Sequence, residues 1–600
     1  MKKINILLKK NDELIIPAHR TKIREILPDL FISTSNNTDI SIEDNKLVFF
    51  DGRLDGTYKI KDKLGISTKI KNEKLILNMQ NQFGSNFINQ LSGAYCFVII
   101  DLDNGSIQAA TDPMAVSPLY YTDTTDYLLI SNCLKSIAYF FDKPKVDPEV
   151  LKDYLVQSYP RAGRTIYKDI NITNPCERIT VTNGKIYVDK YHRYKKTKDI
   201  TNIEKVKDET KEIFQQIIKD QLDTLPKEIS FSLSGGLDSS SIVCVANSMK
   251  EDRCFITHSA KFAGLNPKEK LLADETKYIE AVRKNIKATN YYHQFKEYDY
   301  LEYLDFTSSF DEPIVGSTMY INKSILEKNV NLGIKHHFEG TFGDEIISHG
   351  YEKLMYLGSR FRFMQLFIEE KKLRNNRGLK FSYIKSIKDN FIKAYLPIWI
   401  TKLYRKIRGT NIGILDKVTK KSFLQNHSDH FEMINGYHPS IKNKKVNDNL
   451  HEIIINEPVI SYGARLYKKL GQKFGVEILL PFLDKSLIDH SLNVSPQAKL
   501  KNGFDRYHFR KAMKGIIPDS VFDRSTKADI SPMFLKVFGS LDKGTLEHLI
   551  ISGESCLDIH LEKEKVLNLI NEYCETRNSS LAIMLNRLAS LRLWLQKNDL

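Results

Sequence analysis

Cysteine is scarce in this chain of 600 residues: seven occur, Cys96, Cys133, Cys176, Cys244, Cys254, Cys556 and Cys574. None forms a Cys-x-x-Cys pair and no dense cluster exists, which excludes a disulfide framework and gives no zinc-site spacing. Buried free thiols are the expectation. Long apolar runs are missing too. Ala94 to Ile100, and Ala394 to Ile400 with Pro397 inside it, stop far short of the ~20 residues that a bilayer crossing needs. Met1-Lys2-Lys3 has the charge of a signal-peptide start, but Asn5 breaks the apolar run behind it and Lys9, Lys10, Asn11 and Asp12 close it. A cytoplasmic protein with no membrane partner is expected. Neither a repeat of fixed period nor a low-complexity tract is present.

What remains is the composition of a globular chain. Apolar residues at 42% and aromatics at 10% suffice for real cores, and the length allows roughly three or four domains. The formal charge of +15 is local: Tyr351 to Leu450 holds 21 Lys and Arg against 8 Asp and Glu. Between Arg360 and Arg408 the basic residues interleave with Phe361, Phe363, Phe367, Phe381, Tyr383, Phe391, Tyr395, Trp399 and Tyr404, the pattern of helices with apolar and basic faces. An amphipathic surface, a docking surface for a peptide, and a weak nucleic-acid or membrane-surface contact all fit it.

Up to residue 195 the chain reads as short strands and turns. Lys46 to Phe50 alternates, Tyr95 to Ile100 is a buried run, and a helix is predicted near Glu73 to Gln82. Asp51-Gly52, Asp103-Asn104-Gly105 and Thr182-Asn183-Gly184 have hairpin-turn chemistry. The polar stretch Tyr191 to Lys198, followed by the capping box Thr201-x-x-Glu204, marks a boundary, with a second domain over 203–600. There Val206, Thr210, Ile213, Phe214, Ile217, Ile218 and Leu222 form a helical stripe, and Ile229 to Leu233 reads as a strand. Cys254 to His258, Tyr291 to Phe295 and Ile334 to Phe338 then alternate with helical segments, as a parallel α/β sheet requires. From Tyr351 onward the pattern is mostly helical, with the basic insertion at about 351–450.

The most informative stretch is Ser234-Gly235-Gly236-Leu237-Asp238-Ser239-Ser240, between that strand and a helix predicted to begin near Ser241. Two glycines admit backbone amides to an anion, a helix N-terminus turns its partial positive charge toward it, and serine hydroxyls add donors. Asp238 would repel a phosphate unless it holds Mg²⁺, a hard ion that shares carboxylate and phosphate oxygens. The spacing is not that of a Walker A loop.

This loop resembles the pyrophosphate-binding loop of ATP pyrophosphatases of the asparagine synthetase family. Gly340-Thr341-Phe342-Gly343-Asp344-Glu345 resembles the family's second metal motif, Gly475 to Asp484 its Val-Glu-x-x-x-Pro-Phe-Leu-Asp stretch, and Arg524-Ser525-Thr526-Lys527 the segment with its essential lysine. Leu91 to Phe97 and Asp112 through Ser117 to Tyr121 resemble its glutaminase-like domain. The resemblance, in the family's order over nearly the whole chain, implies a degenerate Ntn-hydrolase-like αββα sandwich over 1–195. An α/β parallel-sheet ATP-pyrophosphatase domain with a largely helical C-terminal half follows. It also implies ATP and Mg²⁺ as cofactors, with Ser234, Gly235, Gly236, Asp238, Ser239, Ser240 and Gly340 binding the nucleotide and Asp238 and Asp344 the metal. Lys527 would stabilise the developing charge, and Glu477 would take the amine proton.

Two departures shape the expected function. Position 2 is Lys2 where glutamine-dependent members carry a cysteine nucleophile, and their Asn-Gly oxyanion dipeptide is Asp51-Gly52 here, so thioester formation from glutamine lacks its groups. The family's glutamate in the second metal motif is Thr341. Members without the glutaminase cysteine resemble lasso peptide cyclases and β-lactam synthetases. The expectation is an AMP-forming ligase that adenylates an Asp or Glu side chain of a precursor peptide and joins it to the N-terminal amine as an isopeptide. By resemblance its partners would be a leader-peptide-binding protein and a leader peptidase, with no stable nucleic-acid partner. A β-lactam-synthetase-like small-molecule ligase, a glutamine-dependent asparagine synthetase and a non-catalytic binding protein are the alternatives.

Overall fold

The computed structural model describes residues 2–11, 23–35, 40–66, 70–140, 143–157, 159–249, 253–295, 299–315, 319–392, 418–420 and 450–600. Two six-stranded antiparallel sheets form its N-terminal part. One has the spatial order Asn171–Ile172, Tyr120–Asp123, Tyr127–Ser131, Ile4–Lys9, Leu30–Thr34, Ile23–Leu27. The other has the order Lys185–Lys190, Glu177–Thr182, Ile107–Thr111, Gly93–Asp101, Lys46–Leu54, Ile40–Glu43. Strand alternation sorts the side chains into layers. Leu47, Phe49, Cys96, Val98 and Ile100 meet Ile4, Ile6, Leu128 and Ile130 between the sheets. Their neighbours Val48, Phe50, Tyr95, Phe97 and Ile99 point the other way, onto a layer with helices Thr57–Leu64 and Asn72–Phe83. Leu7 and Leu129 of the opposite outer face pack with Leu134, Ile137, Val150 and Leu151. The result is the αββα sandwich that the sequence implies.

Two local readings need correction. Asp51-Gly52 is not a turn but lies inside Lys46–Leu54, paired with Cys96 and Tyr95. Gly52 has φ 116°, and a Cβ there would sit 2.1 Å from the Ala94 carbonyl oxygen, so the glycine serves a close strand approach. The helix Ile203–Leu222 is capped by Asn202, whose side chain accepts from the amides of Glu204 and Lys205 at 3.1 and 3.2 Å, and not by Thr201. By contrast Asn183 and Gly184, both left-handed at φ 51° and 68°, close the predicted hairpin.

Beyond residue 203 a five-stranded parallel sheet has the order Ala288–Phe295, Cys254–Phe262, Glu228–Ser232, His336–Phe338, Glu477–Leu479. The chain enters at the central strand, builds outward in one direction, then crosses to the other side. The strand order therefore reverses between Glu228–Ser232 and His336–Phe338, and ligands of open α/β sheets bind at the carboxyl ends of strands flanking such a reversal. Helices then dominate, as expected. Ser579–Lys597 closes the structure: Trp594 Nε1 donates to the Phe310 carbonyl at 2.9 Å and its ring meets Tyr167 of the sandwich at 6.0 Å. Of the basic insertion, Glu352–Ser359, Phe363–Asn376 and Tyr383–Ile387 are helical, whereas Tyr395, Trp399 and Tyr404 lie outside the described residues. No helix among the described residues is long and apolar enough to cross a membrane.

Candidate active site

The two loops that leave the reversal point touch. After Glu228–Ser232 the chain passes through Ser234 and Gly235 into a helix, Leu237–Ser248, with Gly236 at its N-cap. That helix starts four residues before Ser241, so Asp238, Ser239 and Ser240 lie in its first turn, among amides that have no intrahelical acceptor. Gly235 is left-handed at φ 70°, and a Cβ there would lie 2.7 Å from Tyr278 Cβ. The hydroxyls of Ser234 and Ser239 bond each other at 3.0 Å, and Ser234 Oγ accepts from the Gly236 amide at 3.3 Å. Arg524 fixes the loop from behind, donating to the Gly235 carbonyl at 3.0 Å while pairing with Glu275 at 2.8 Å. Ser240 is fully buried, so it packs beneath the loop without presenting its hydroxyl to the cleft.

After His336–Phe338 come Glu339, Gly340, Thr341 and a left-handed Phe342, then the short helix Gly343–Ile347. Side chains at its glycines would collide with the first loop: a Cβ on Gly340 would be 2.9 Å from the Ser239 amide, and one on Gly343 only 2.4 Å from Asp238 Cγ. This contact brings Asp238 and Asp344 together. Arg506 lies between them, with Nη1 2.8 Å from each Asp238 oxygen and 2.6 Å from Asp344 Oδ1. Lys527 reaches Asp344 Oδ2 at 2.6 Å from a side chain that is 82% exposed, and so faces the open cleft. His349 stands 3.8 Å from Asp344 Oδ1, its Nδ1 2.9 Å from Asp505. Burial pushes the Asp238 carboxyl above its ordinary pKa despite Arg506. Burial acts on Asp344 in the same direction, but Arg506 and Lys527 outweigh it and hold this carboxyl below the usual value.

The donor set fits Mg²⁺. Two carboxylates are what this ion takes from a protein when phosphate and water oxygens complete its shell, and Asp344 Oδ1, which pairs with Arg506 Nη1 at 2.6 Å but accepts no well-directed hydrogen bond, keeps lone-pair capacity for it. Among the described residues no group of three or more His, Cys, Asp or Glu forms a closed metal cage.

Glu477 is not brought to this cluster. It starts its strand opposite His336, and the strand then runs two residues, roughly 7 Å, before Leu479 accepts the Glu339 amide at the cleft end. Its carboxylate instead pairs with Arg53 of the sandwich at 2.8 Å. Sequence reasoning missed Arg506, which comes from far along the chain with no motif of its own. It also missed Glu339 and Tyr467. Glu339 adjoins Gly340 and was findable as a carboxylate beside a recognised loop, whereas Tyr467 reaches Thr341 from the helix Pro458–Phe474, at 2.9 Å between hydroxyls.

The same helix enters the sandwich. Lys468 donates to Ser117 Oγ and lies 3.5 Å from Asp51 Oδ2. Asp51, Cys96, Ser117, Asn132, Arg465 and Lys468 line a cavity there. Cys96, Cys133 and Cys176 are all buried, burial pushes the Cys96 thiol up, and Lys2 pairs with Glu73 at 2.9 Å.

A parallel sheet whose reversal point carries a glycine-serine loop beside paired carboxylates is an open α/β architecture with a ligand crevice at that point. The sequence profile of the asparagine synthase family matches residues 209–596, and the chain belongs to that family. It is therefore an ATP-dependent ligase of C–N bonds. A profile of the glutamine amidotransferase domain matches residues 44–192. The chain is 22% identical over 525 residues to asparagine synthetase [glutamine-hydrolyzing] 1 of Bacillus subtilis, covering 84% of this chain and 77% of that protein. It is 27% identical over 187 residues to amidase chyE of Penicillium rubens, covering 30% and 27%. Among solved structures, a glutamine phosphoribosylpyrophosphate amidotransferase from B. subtilis matches with a TM-score of 0.21 and 10% identity, over 42% of this chain and 58% of that one.

Proposed function

We propose that the protein is an ATP- and Mg²⁺-dependent cyclase that adenylates an Asp or Glu side chain of a precursor peptide and closes it on the peptide's own N-terminal amine, without hydrolysing glutamine. The observation that carries this reading is a contrast within one chain. The loops around Asp238, Asp344 and Lys527 are assembled, while the sandwich cavity holds the Lys468 ammonium against the Asp51 carboxylate and offers only buried thiols. A carboxylate where a neutral donor should face an oxyanion opposes acyl transfer from glutamine.

In this reading a substrate carboxylate oxygen attacks the α-phosphorus of ATP, giving an acyl-adenylate and pyrophosphate. The amides of the Ser234 to Ser239 turn hold the departing pyrophosphate at the helix N-terminus. Mg²⁺ held by Asp238 and Asp344 would neutralise charge on the phosphates. Lys527 supplies a mobile cation at the cleft mouth, and Arg506 keeps the two aspartates oriented. The amine then displaces AMP.

A peptide is favoured as substrate by the apolar and basic surface of the insertion. Phe361, Met364 and Ile384 are 66%, 73% and 82% exposed among the basic residues of the insertion. Helix Phe363–Asn376 leans on the segments that carry the catalytic cations: Arg377 pairs with Asp505 at 2.6 Å, and Ser525 donates to the Asn376 carbonyl. The test is release of AMP and pyrophosphate from ATP and Mg²⁺ with a pool of linear peptides bearing Asp or Glu. Peptide-dependent release with loss of one water from the peptide is expected, unaffected by glutamine. Glutamine-dependent release with formation of glutamate would overturn the reading.

A further inference from the structure

With Glu477 remote from the cleft, the amine proton needs another acceptor, and one chain of hydrogen bonds at the reversal point supplies it. Glu339 follows the strand His336–Phe338 directly, so its carboxylate sits at the cleft end of the sheet. Oε1 accepts from the Gly340 amide at 2.9 Å and from Thr341 Oγ1 at 3.3 Å, while Oε2 accepts from Ser232 Oγ at 2.6 Å. Thr341 Oγ1 in turn lies 2.9 Å from the Tyr467 hydroxyl. With the Thr341 proton directed to Glu339, the Tyr467 proton is directed to Thr341, and the Tyr467 oxygen, which Asn322 also meets, keeps one lone pair for a further group. Glu339, Thr341 and Tyr467 are each partly exposed as whole residues. Burial opposes the Glu339 carboxylate, but bonds from His337, Ser232 and Gly340 prevail and keep it ionised, while burial keeps the Tyr467 phenol protonated.

The geometry points to Tyr467, Thr341 and Glu339 as a proton relay that deprotonates the attacking amine, with Glu339 as the final acceptor. This rests on the adenylating function proposed above and adds to it the groups that drive the second half-reaction. As the amine nitrogen forms its bond to the acyl carbon and the bond to the AMP oxygen breaks, one N–H proton passes to the Tyr467 oxygen. The phenolic proton moves to Thr341, and the threonine proton to the Glu339 carboxylate. AMP leaves with the electron pair of the broken bond, and Glu339 returns its proton to solvent before the next turnover. Thr341 thus serves as the middle link of a relay whose carboxylate stands two residues upstream.

Half-reactions separate this inference from its parent. The full-length protein and the variants Glu339→Gln, Thr341→Val and Tyr467→Phe are compared in three assays: ATP–pyrophosphate exchange with the peptide pool, cyclised product, and peptide hydroxamate formed with hydroxylamine. Hydroxylamine is uncharged at neutral pH and needs no base. Glu339→Gln is expected to leave exchange and hydroxamate within about twofold of wild type while cyclised product falls ~100-fold or more, the usual yield of general base catalysis. Thr341→Val keeps the backbone and strands Glu339 from Tyr467, and is expected to lose product at least tenfold with an unchanged melting temperature. Loss of all three signals together in Glu339→Gln and Thr341→Val, or full product formation in either, would overturn the relay alone. Wild-type protein silent in exchange would overturn the adenylation reading and the relay with it.

Discussion

Replacing Gly343 with alanine tests the contact on which the whole site depends. The added Cβ would stand 2.4 Å from Asp238 Cγ and 2.7 and 2.9 Å from its two oxygens, whereas non-bonded carbons settle at about 3.5 to 4.0 Å. Asp238 must therefore move by about 1 Å, breaking its two 2.8 Å contacts with Arg506. The obstructing atoms end a side chain that can rotate toward the cleft, so the stability cost stays near 1 to 2 kcal/mol, within the range for modest overpacking. Function has no such escape. A displacement of about 1 Å at a catalytic group costs on the order of 100-fold. In substrate-dependent ATP–pyrophosphate exchange, Gly343→Ala should lose about this factor, with a melting temperature lowered by only a few degrees. Gly475→Ala is the control: it strains a backbone at φ 66° with nothing within 4 Å of the new Cβ, costing ~1 to 2 kcal/mol with exchange intact. Exchange in Gly343→Ala within threefold of wild type would refute the claim that this close packing positions Asp238.

Lys527→Ala removes an exposed side chain, so thermal stability should stay within about 0.5 kcal/mol while exchange falls 100-fold or more. Glu312 is buried between Arg465 at 2.9 Å and Lys469 at 2.7 Å. Burial raises its pKa, but those cations prevail and bring it to about 2 from 4.5. A depressed carboxyl stabilises above its unfolded pKa, so acid titration should lose on the order of 3 kcal/mol between about pH 4.5 and 2. Glu312→Gln should remove that slope and, by stranding Arg465 while Lys469 keeps Asp311 at 2.6 Å, cost ~3 kcal/mol at neutral pH in denaturant unfolding. Lys468→Met leaves the Asp51 carboxylate unpaired and should destabilise by about 1 to 3 kcal/mol, and a glutamate-release assay should show no glutaminase activity in either protein.

The parts of the site carried by contiguous sequence were legible. Ser234 to Ser240 stood out as a strand-to-helix loop because glycine, serine and a preceding strand are local signals, and Gly340 to Asp344 stood out in the same way as the loop it meets. Alternation likewise gave Lys46 to Phe50 as a strand, and an unbroken apolar run gave Tyr95 to Ile100. The helix start was placed at Ser241 because three serines and an aspartate look like a loop, yet a first helical turn accepts these residues where its amides are free. Asp51-Gly52 carries turn chemistry, and only the facing Ala94 carbonyl shows that the glycine serves a close strand crossing. Arg506 and Tyr467 were invisible for a different reason: each meets its partners across more than a hundred residues, and no pattern near them encodes that meeting. The position of Glu477 at the start of its strand, paired with Arg53, was not legible because a motif names residues without saying which end of a strand they occupy.

The reversal of strand order also sets a timetable. Strand Glu477–Leu479 completes the sheet only after the long helical insertion, and Arg506 and Lys527 follow later still. On a ribosome that emits residues at about 5 to 20 per second, the sandwich strands can pair early while the phosphate loop waits for most of the chain. Until then the edge strand His336–Phe338 has no neighbour on one side, and Asp238 and Asp344 face each other without their arginine. A chain interrupted before residue 506 would thus hold two close carboxylates of like charge without the cation that pairs both of them. The late arginine makes the paired geometry of the two aspartates one of the last features of the fold to form.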